Sequence, residues 1–418
     1  MKMEIQSSLA IRAVLVLLCT IILSFLMASA ARSVHFDTPF PEEPERYDSE
    51  YYLDMLTMRI DRDWRDLIDG TDNLFLLRFG SLNVEQWCMI ESLKFSSDIS
   101  RRFRIRYWMD LNHTLDERSS MRNELEVEFN LHRKYFVSFL LAPSPWKREN
   151  DVGLMVQRRT AVDRYIKFTF KVHDFANNFA YNHGDNIEGE KNLFNRQPFE
   201  LILEGREQAG RVLRFGIRGS LTNRWQKEYR FLEGSGDYDE EGHVRDLGLW
   251  IEKDMPGGVA FNLDIRIAEY FLERTGTGAA RKMHNVREFL PRLWWHPAGR
   301  DLSLSAGLQV RRERWDGEGT EDSGFRKNEL LPFILLQKRF SEVHMLEVGY
   351  LADRFDSERT GTGAESSDRW ENRLKISWET RFRGTSRFRL IETIDLDRED
   401  WGDYSVHDHF FLMLIVGF

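Results

Sequence analysis

The sequence predicts an all-β fold, a transmembrane antiparallel β-barrel of about 18 strands (16 is the alternative) with a short N-terminal amphipathic helix. Three observations predict it: period-two alternation recurring over more than 300 residues, short and long connections that alternate in phase, and a final segment with one apolar face. The chain has 418 residues and a mean hydropathy of -0.49. Such an average is compatible with a membrane barrel, because lipid-facing apolar residues alternate with lumen-facing polar ones. The net charge of -9 argues against a general nucleic-acid binder.

Lys2 and Arg12 supply positive charge, Ala13 to Met27 is uncharged and mostly apolar, and Ala28-Ser29-Ala30 offers small residues for cleavage. Residues 1–30 are therefore expected to be a secretory signal peptide. Cys19 falls inside that apolar run, so the mature chain would keep only Cys88, which excludes an intrachain disulfide. Residues 31–70 form the next unit, an acidic, proline-containing lead followed by a helix. In Tyr51 to Ile68, the residues Leu53, Leu56, Ile60, Trp64, Leu67 and Ile68 share one helical face. A periplasmic docking element, a lid and a plug inside the barrel are its possible roles. Residues 71–418 make the barrel, and no later segment has the ~20 consecutive apolar residues that a spanning helix needs.

The strands follow in order. Phe103, Ile105, Tyr107, Met109 and Leu111 alternate with Arg102, Arg104, Arg106 and Asp110. Leu125, Val127, Phe129 and Leu131 alternate with Glu124, Glu126 and Glu128. The same pattern recurs at Ile166–Val172, Val259–Ile267 and Leu302–Val310. Short turns are expected at Asp254–Gly258, His296–Arg300 and Arg383–Thr385. Longer polar loops are expected at Thr275–Asn285, Asp316–Gly324 and Asp356–Asp368. Trp370 and Trp378 share a face eight residues apart, roughly 26 Å along a strand. That spacing suits two interfacial aromatic belts.

At the end of the chain Phe410, Leu412, Leu414, Val416 and Phe418 occupy one face. This resembles the C-terminal signature of outer-membrane β-barrels, in which a terminal aromatic closes an alternating strand read by the barrel assembly machinery. At the level of pattern the likeness to outer-membrane porins spans nearly the whole mature chain. It implies a place in the bacterial outer membrane, contact with its lipid and lipopolysaccharide, and a pore for small hydrophilic solutes.

If the apolar faces meet lipid, the opposite faces line the lumen. The pore-lining candidates are Arg102, Arg104, Arg106, Glu124, Glu126, Glu128, Lys167, Lys171, Arg214, Arg218, Arg266, Arg311, Arg373, Lys375, Arg387 and Arg389. A hairpin centred near residue 115 would set the first arginine row opposite the glutamate row. The basic balance would favour anions. Two other functions use the same architecture: a sheath around a periplasmic partner such as a multihaem cytochrome, and an export channel for an acidic polysaccharide. No enzyme is expected, since the sequence has no phosphate-binding glycine loop, nucleophile elbow or haem-attachment motif, and no cofactor is implied. His407 and His409, with Asp400, Asp403 and Asp408 close by, read as a polar strand end.

Overall fold

The computed structural model describes residues 67–68 and 71–418, apart from 82–86, 115–119, 144–149, 162–163, 179–190, 211, 232–235, 298–300, 320–323, 361–365, 383 and 398–406. The expected signal peptide, the acidic lead and all of the expected N-terminal helix except Leu67 and Ile68 lie outside the described residues.

In chain order the strands of the first half are β1 (Leu74–Ser81), β2 (Trp87–Ser100), β3 (Phe103–Thr114), β4 (Ser120–His132), β5 (Tyr135–Ala142), β6 (Asp151–Ala161), β7 (Arg164–Val172), β8 (Lys191–Arg196), β9 (Phe199–Ala209), β10 (Leu213–Thr222) and β11 (Trp225–Arg230). The second half holds β12 (Tyr238–Met255), β13 (Val259–Gly276), β14 (Ala280–Trp295), β15 (Leu302–Gly319), β16 (Gly324–Arg339), β17 (His344–Thr360), β18 (Ser366–Arg381), β19 (Arg387–Asp395) and β20 (His407–Gly417). Every pairing is antiparallel, most join neighbours along the chain, and β1 pairs with β20 to close the ring.

Two staves are each broken into two strands. β8 and β9 follow one another and pair with β11 and β10 respectively, while β12 pairs with both β10 and β11. The ring therefore has 18 staves. Asn223 bridges the break: its Oδ1 accepts from the Phe199 amide at 2.8 Å and its Nδ2 donates to the Gln197 carbonyl at 3.0 Å. Closure joins the first strand to the last, which is what lipid demands of a sheet that crosses it.

The outward parity follows from exposure. Leu247, Leu249, Ile251, Ile267, Phe289, Leu293, Ile334, Leu336, Val348 and Ile376 are large, apolar and exposed. Each sits at a register position paired with another outward one, and together they form an apolar belt. Trp370 and Trp378 lie on this outer face. A closed sheet with such a belt is a membrane-spanning barrel. On β20 the outward residues are Leu412, Leu414 and Val416, which pair with Phe79, Leu77 and Phe75 of β1.

The connections alternate as expected, with one difference. At the short-turn end β12 and β13 are joined through Pro256, Gly257 and Gly258. Both glycines have positive φ, at 79° and 74°, a conformation that side chains resist. At the other end the expected loops are largely strand. β13 runs to Gly276 and β14 begins at Ala280, so the loop expected over Thr275–Asn285 is a tight hairpin. The ladders likewise continue to Gly319 and Thr360. Above the membrane the outer face is wet, so its apolar pattern fades while backbone pairing persists.

Candidate functional site

The lumen wall is built from the inward parity, and it has two unlike arcs. On β3 to β13 the inward cations keep partial contact with solvent, although Glu128 and Glu252 among their partners are buried. The expected register is present: Arg104 pairs with Glu128, Arg106 with Glu126 and Trp108 with Glu124. Arg106 Nη1 lies 2.9 Å from Glu126 Oε1 and 3.0 Å from Glu128 Oε2, and Arg159 reaches the same Glu128 oxygen at 3.1 Å. Arg104 instead turns to Asp98 across the β2–β3 ladder. Arg102 corrects the sequence reading, because the chain turns at Arg101–Arg102 and β3 starts only at Phe103. Its side chain is exposed at the short-turn end rather than on a strand facing the lumen.

Further round this arc Lys171 pairs with Glu124, and Arg214 with Glu252. Arg266 donates to Asp246 at 2.8 Å and to the Tyr270 hydroxyl at 3.2 Å. Lys167 and Arg218 share one carboxylate, Glu204, with Arg218 Nε 3.4 Å from Glu204 Oε1. Arg218 is 77% exposed, far more than the cations beside it, since its neighbour across the β10–β12 ladder is Gly248. Two cations round one carboxylate leave a local positive excess facing water.

On β14 to β20 many inward groups are dry, while Arg387 and Arg381 near the short-turn end keep partial exposure. Arg311, Lys375 and Arg389 are at most 1% exposed and the side chain of Arg373 is 8% exposed. These four point inward but do not meet a water-filled path. Each has a carboxylate: Arg311 with Glu313 at 2.9 Å, Arg373 with Asp353 at 3.1 Å, Lys375 and Arg389 with Glu347 at 2.8 and 3.1 Å. Arg387 lies 3.4 Å from Glu379. Buried charge requires such matching, because an ion without a partner in a dry interior is strongly disfavoured. An inward aromatic row runs over this border, with His284 stacked on Tyr270 at 5.5 Å and on Trp315 at 4.9 Å. His284 Nε2 meets Glu313 at 2.6 Å.

An inward apolar patch that the sequence reading missed runs from β16 through β20 onto β1. Leu74, Leu76, Leu331, Phe333, Leu335, Leu351, Ile391, Phe411, Met413 and Ile415 are inward and buried, and Ile68 packs among them with Leu67 against the group. Lys94 Nζ holds the Ile68 carbonyl at 2.7 Å. The chain thus enters the lumen just before β1. A signal was available: Phe410 to Val416 is continuously apolar, the pattern of a strand covered on both faces.

At the long-loop end, just beyond β7, His173 meets Asp151 through Nδ1 at 2.9 Å and Glu200 through Nε2 at 3.1 Å. Burial disfavours the imidazolium, but the two carboxylates outweigh it and push its pKa up to about 10. Burial pushes the neighbouring Asp174 carboxyl up to about 6. Among the described residues no group of three or more His, Cys, Asp or Glu side chains is placed to hold a metal ion.

No family model matches the chain, and no curated protein is found to be similar to it. Among solved structures it is similar to OccAB3 of Acinetobacter baumannii, at 10% identity and a TM-score of 0.43, covering 82% of this chain and 98% of that one. It is also similar to a bacterial polysaccharide outer membrane secretin, at 8% identity and a TM-score of 0.40, covering 83% and 99%. A third similar structure is OccK2 of Pseudomonas aeruginosa in complex with glucuronate, at 13% identity and a TM-score of 0.38, covering 83% and 98%. The closure of β1 on β20 and the apolar belt independently make this chain an 18-stave membrane-spanning β-barrel of the outer-membrane type.

Proposed function

We propose that the protein is an outer-membrane channel for small hydrophilic solutes, that it favours anions, and that its N-terminal segment narrows the lumen. The observation that carries the pore reading is the Lys167–Glu204–Arg218 group, with Arg218 exposed in the lumen and one carboxylate for two cations. A basic excess in a wet constriction attracts anions and repels cations. The narrowing rests on a separate observation: an apolar patch inside a barrel must be kept from water, at roughly 1.5–3 kcal/mol for each large side chain. Ile68 already sits on that patch, and the sequence just before it, residues 51–66, places Leu53, Leu56, Ile60 and Trp64 at helical spacing.

The test is conductance and reversal potential of the mature protein in a planar bilayer under a salt gradient. Open steps with an anion-side reversal potential are expected, and Arg218→Glu should move that potential toward cations. Deleting residues 51–66 should enlarge the steps. Silence in both the full-length and the shortened protein would refute the channel and favour a sheath that needs an internal partner.

A further inference from the structure

A second charged arrangement lies on the outer face, independent of what passes through the lumen. On β12 to β16 the outward positions are apolar up to a border formed by Leu247, Ile267, Phe289, Val310 and Leu330. The next outward positions toward the long-loop end include Arg245, Arg287, Arg312, Arg314 and Arg326, all exposed. Arg287 stands directly opposite Arg312 across the β14–β15 ladder, and Arg314 directly opposite Arg326 across β15–β16. Like charges placed directly opposite destabilise a sheet. Asp316 lies 2.7 Å from Arg314 and Glu358 lies 4.0 Å from Arg326. Among the described residues neither Arg287 nor Arg312 has an ion-pair partner.

Beside these cations the outer face is grooved. A depression of about 480 Å³ opens over Gly219 and is walled by Phe168, Leu203, Leu221, Leu247 and Ile267. Arg245 and Glu269 stand at its outer end. Ile267 pairs with Arg287, so the apolar groove and the cation pair adjoin. The groove exists because Gly219 presents no side chain to the lipid side, where its neighbours Leu203 and Leu247 do.

We propose that this face binds a phosphate-bearing lipid of the outer leaflet, its phosphate on Arg287 and Arg312 and one acyl chain in the groove over Gly219, while Arg245 is held by Glu269 at 3.3 Å. Guanidinium groups match phosphate oxygens two at a time, which suits a bound headgroup better than a diffuse counter-ion cloud. The cations lie at the upper border of the apolar belt, the depth at which an acylated molecule presents its phosphates. A freely soluble anion would have no use for the groove.

The full-length protein in detergent, examined by native mass spectrometry, tests this with two probes. One is an acylated glucosamine disaccharide carrying two phosphates, and the other is the same lipid without them. The phosphorylated lipid should be retained about tenfold better, the scale of one hydrogen-bonded charged contact. Arg287→Ser with Arg312→Ser should remove that preference, Arg287→Lys with Arg312→Lys should keep part of it, and Gly219→Phe should weaken both lipids. Equal retention of the two lipids by the wild-type protein would overturn the proposal, and that comparison needs no variant to fold. Displacement of the bound lipid by millimolar inorganic phosphate would overturn the lipid assignment in favour of a site for the free anion.

Discussion

Replacing Glu347 by Gln gives the sharpest test of the dry arc. Glu347 on β17 is 1% exposed, and Lys375 and Arg389 beside it are fully buried. Its Oε1 accepts from Lys375 Nζ at 2.8 Å and from Arg389 Nη2 at 3.1 Å, and its Oε2 accepts from Gln337 Nε2 at 2.6 Å. The amide keeps the volume but removes the negative charge that two buried cations share. Removing one partner of a buried pair costs about 3–5 kcal/mol. At about 1.4 kcal/mol per tenfold, that lowers the folding constant by roughly two to four orders of magnitude. The assay is reversible guanidinium unfolding in phospholipid vesicles, followed by tryptophan fluorescence, with the slope checked to be unchanged. Exchanging all three charged residues together, Glu347→Leu with Lys375→Met and Arg389→Met, should restore most of the loss, since apolar replacements of a buried ion cluster are often neutral. A loss below about 1 kcal/mol for Glu347→Gln is the value of an exposed pair, and it would refute the claim that water is excluded from this arc.

Two further outcomes follow from local geometry. A Cβ on Gly307 would overlap Phe333 Cζ and lie 2.8 Å from Arg292 Cγ, whereas one on Gly219 would meet nothing closer than 3.6 Å. In the same unfolding assay Gly307→Ala should therefore lose about 1–3 kcal/mol by overpacking while Gly219→Ala stays near neutral; equal effects would contradict the packing described. His173 has a folded pKa raised from 6.5 to about 10, so its stabilising contribution is complete below pH ~6.5 and is lost as pH rises through ~10. Its ring proton shifts in an NMR titration should still be those of imidazolium at about pH 8, with Asp151→Asn lowering the midpoint. A wild-type midpoint near 6.5 would show that the two carboxylates do not hold it.

The barrel was legible because lipid and lumen impose opposite selections on alternate residues. Val259 to Ile267 and Leu302 to Val310 announce their strands for that reason, and the alternating connections supply the stave count. The lengths of the outer hairpins were not legible. Beyond the belt neither face is selected for apolarity, so Arg274 and Ala280 still pair where a loop was expected. Arg102 misled because its parity continues that of Arg104 and Arg106, while only the turn at Arg101–Arg102 reveals that the strand has ended. Partner choice was hidden as well. Lys167 meets Glu204 across a connection containing residues 173–190, and no local pattern fixes a register over that distance. The inward apolar patch departs from the alternation that marks the other strands: Phe411, Met413 and Ile415 are apolar like Phe410, Leu412 and Leu414 because the closing strand is covered on both faces.

The two arcs divide stability from selectivity, and this separates residues that the sequence placed in one class. A cation in the dry arc is held by a carboxylate a few ångströms away and is hidden from any permeant ion, so altering Lys375 changes the balance of a buried cluster. A cation in the wet arc is screened from its neighbours by water, contributes little to folding, and acts instead on ions that approach it. Arg218 is of the second kind, with Glu204 already engaged by Lys167. Lys375→Met should therefore lower the unfolding midpoint and leave the reversal potential in place, while Arg218→Glu should do the reverse. A reversal potential that shifted in Lys375→Met as much as in Arg218→Glu would mean that permeant ions reach both arcs, and the division of the lumen would fail.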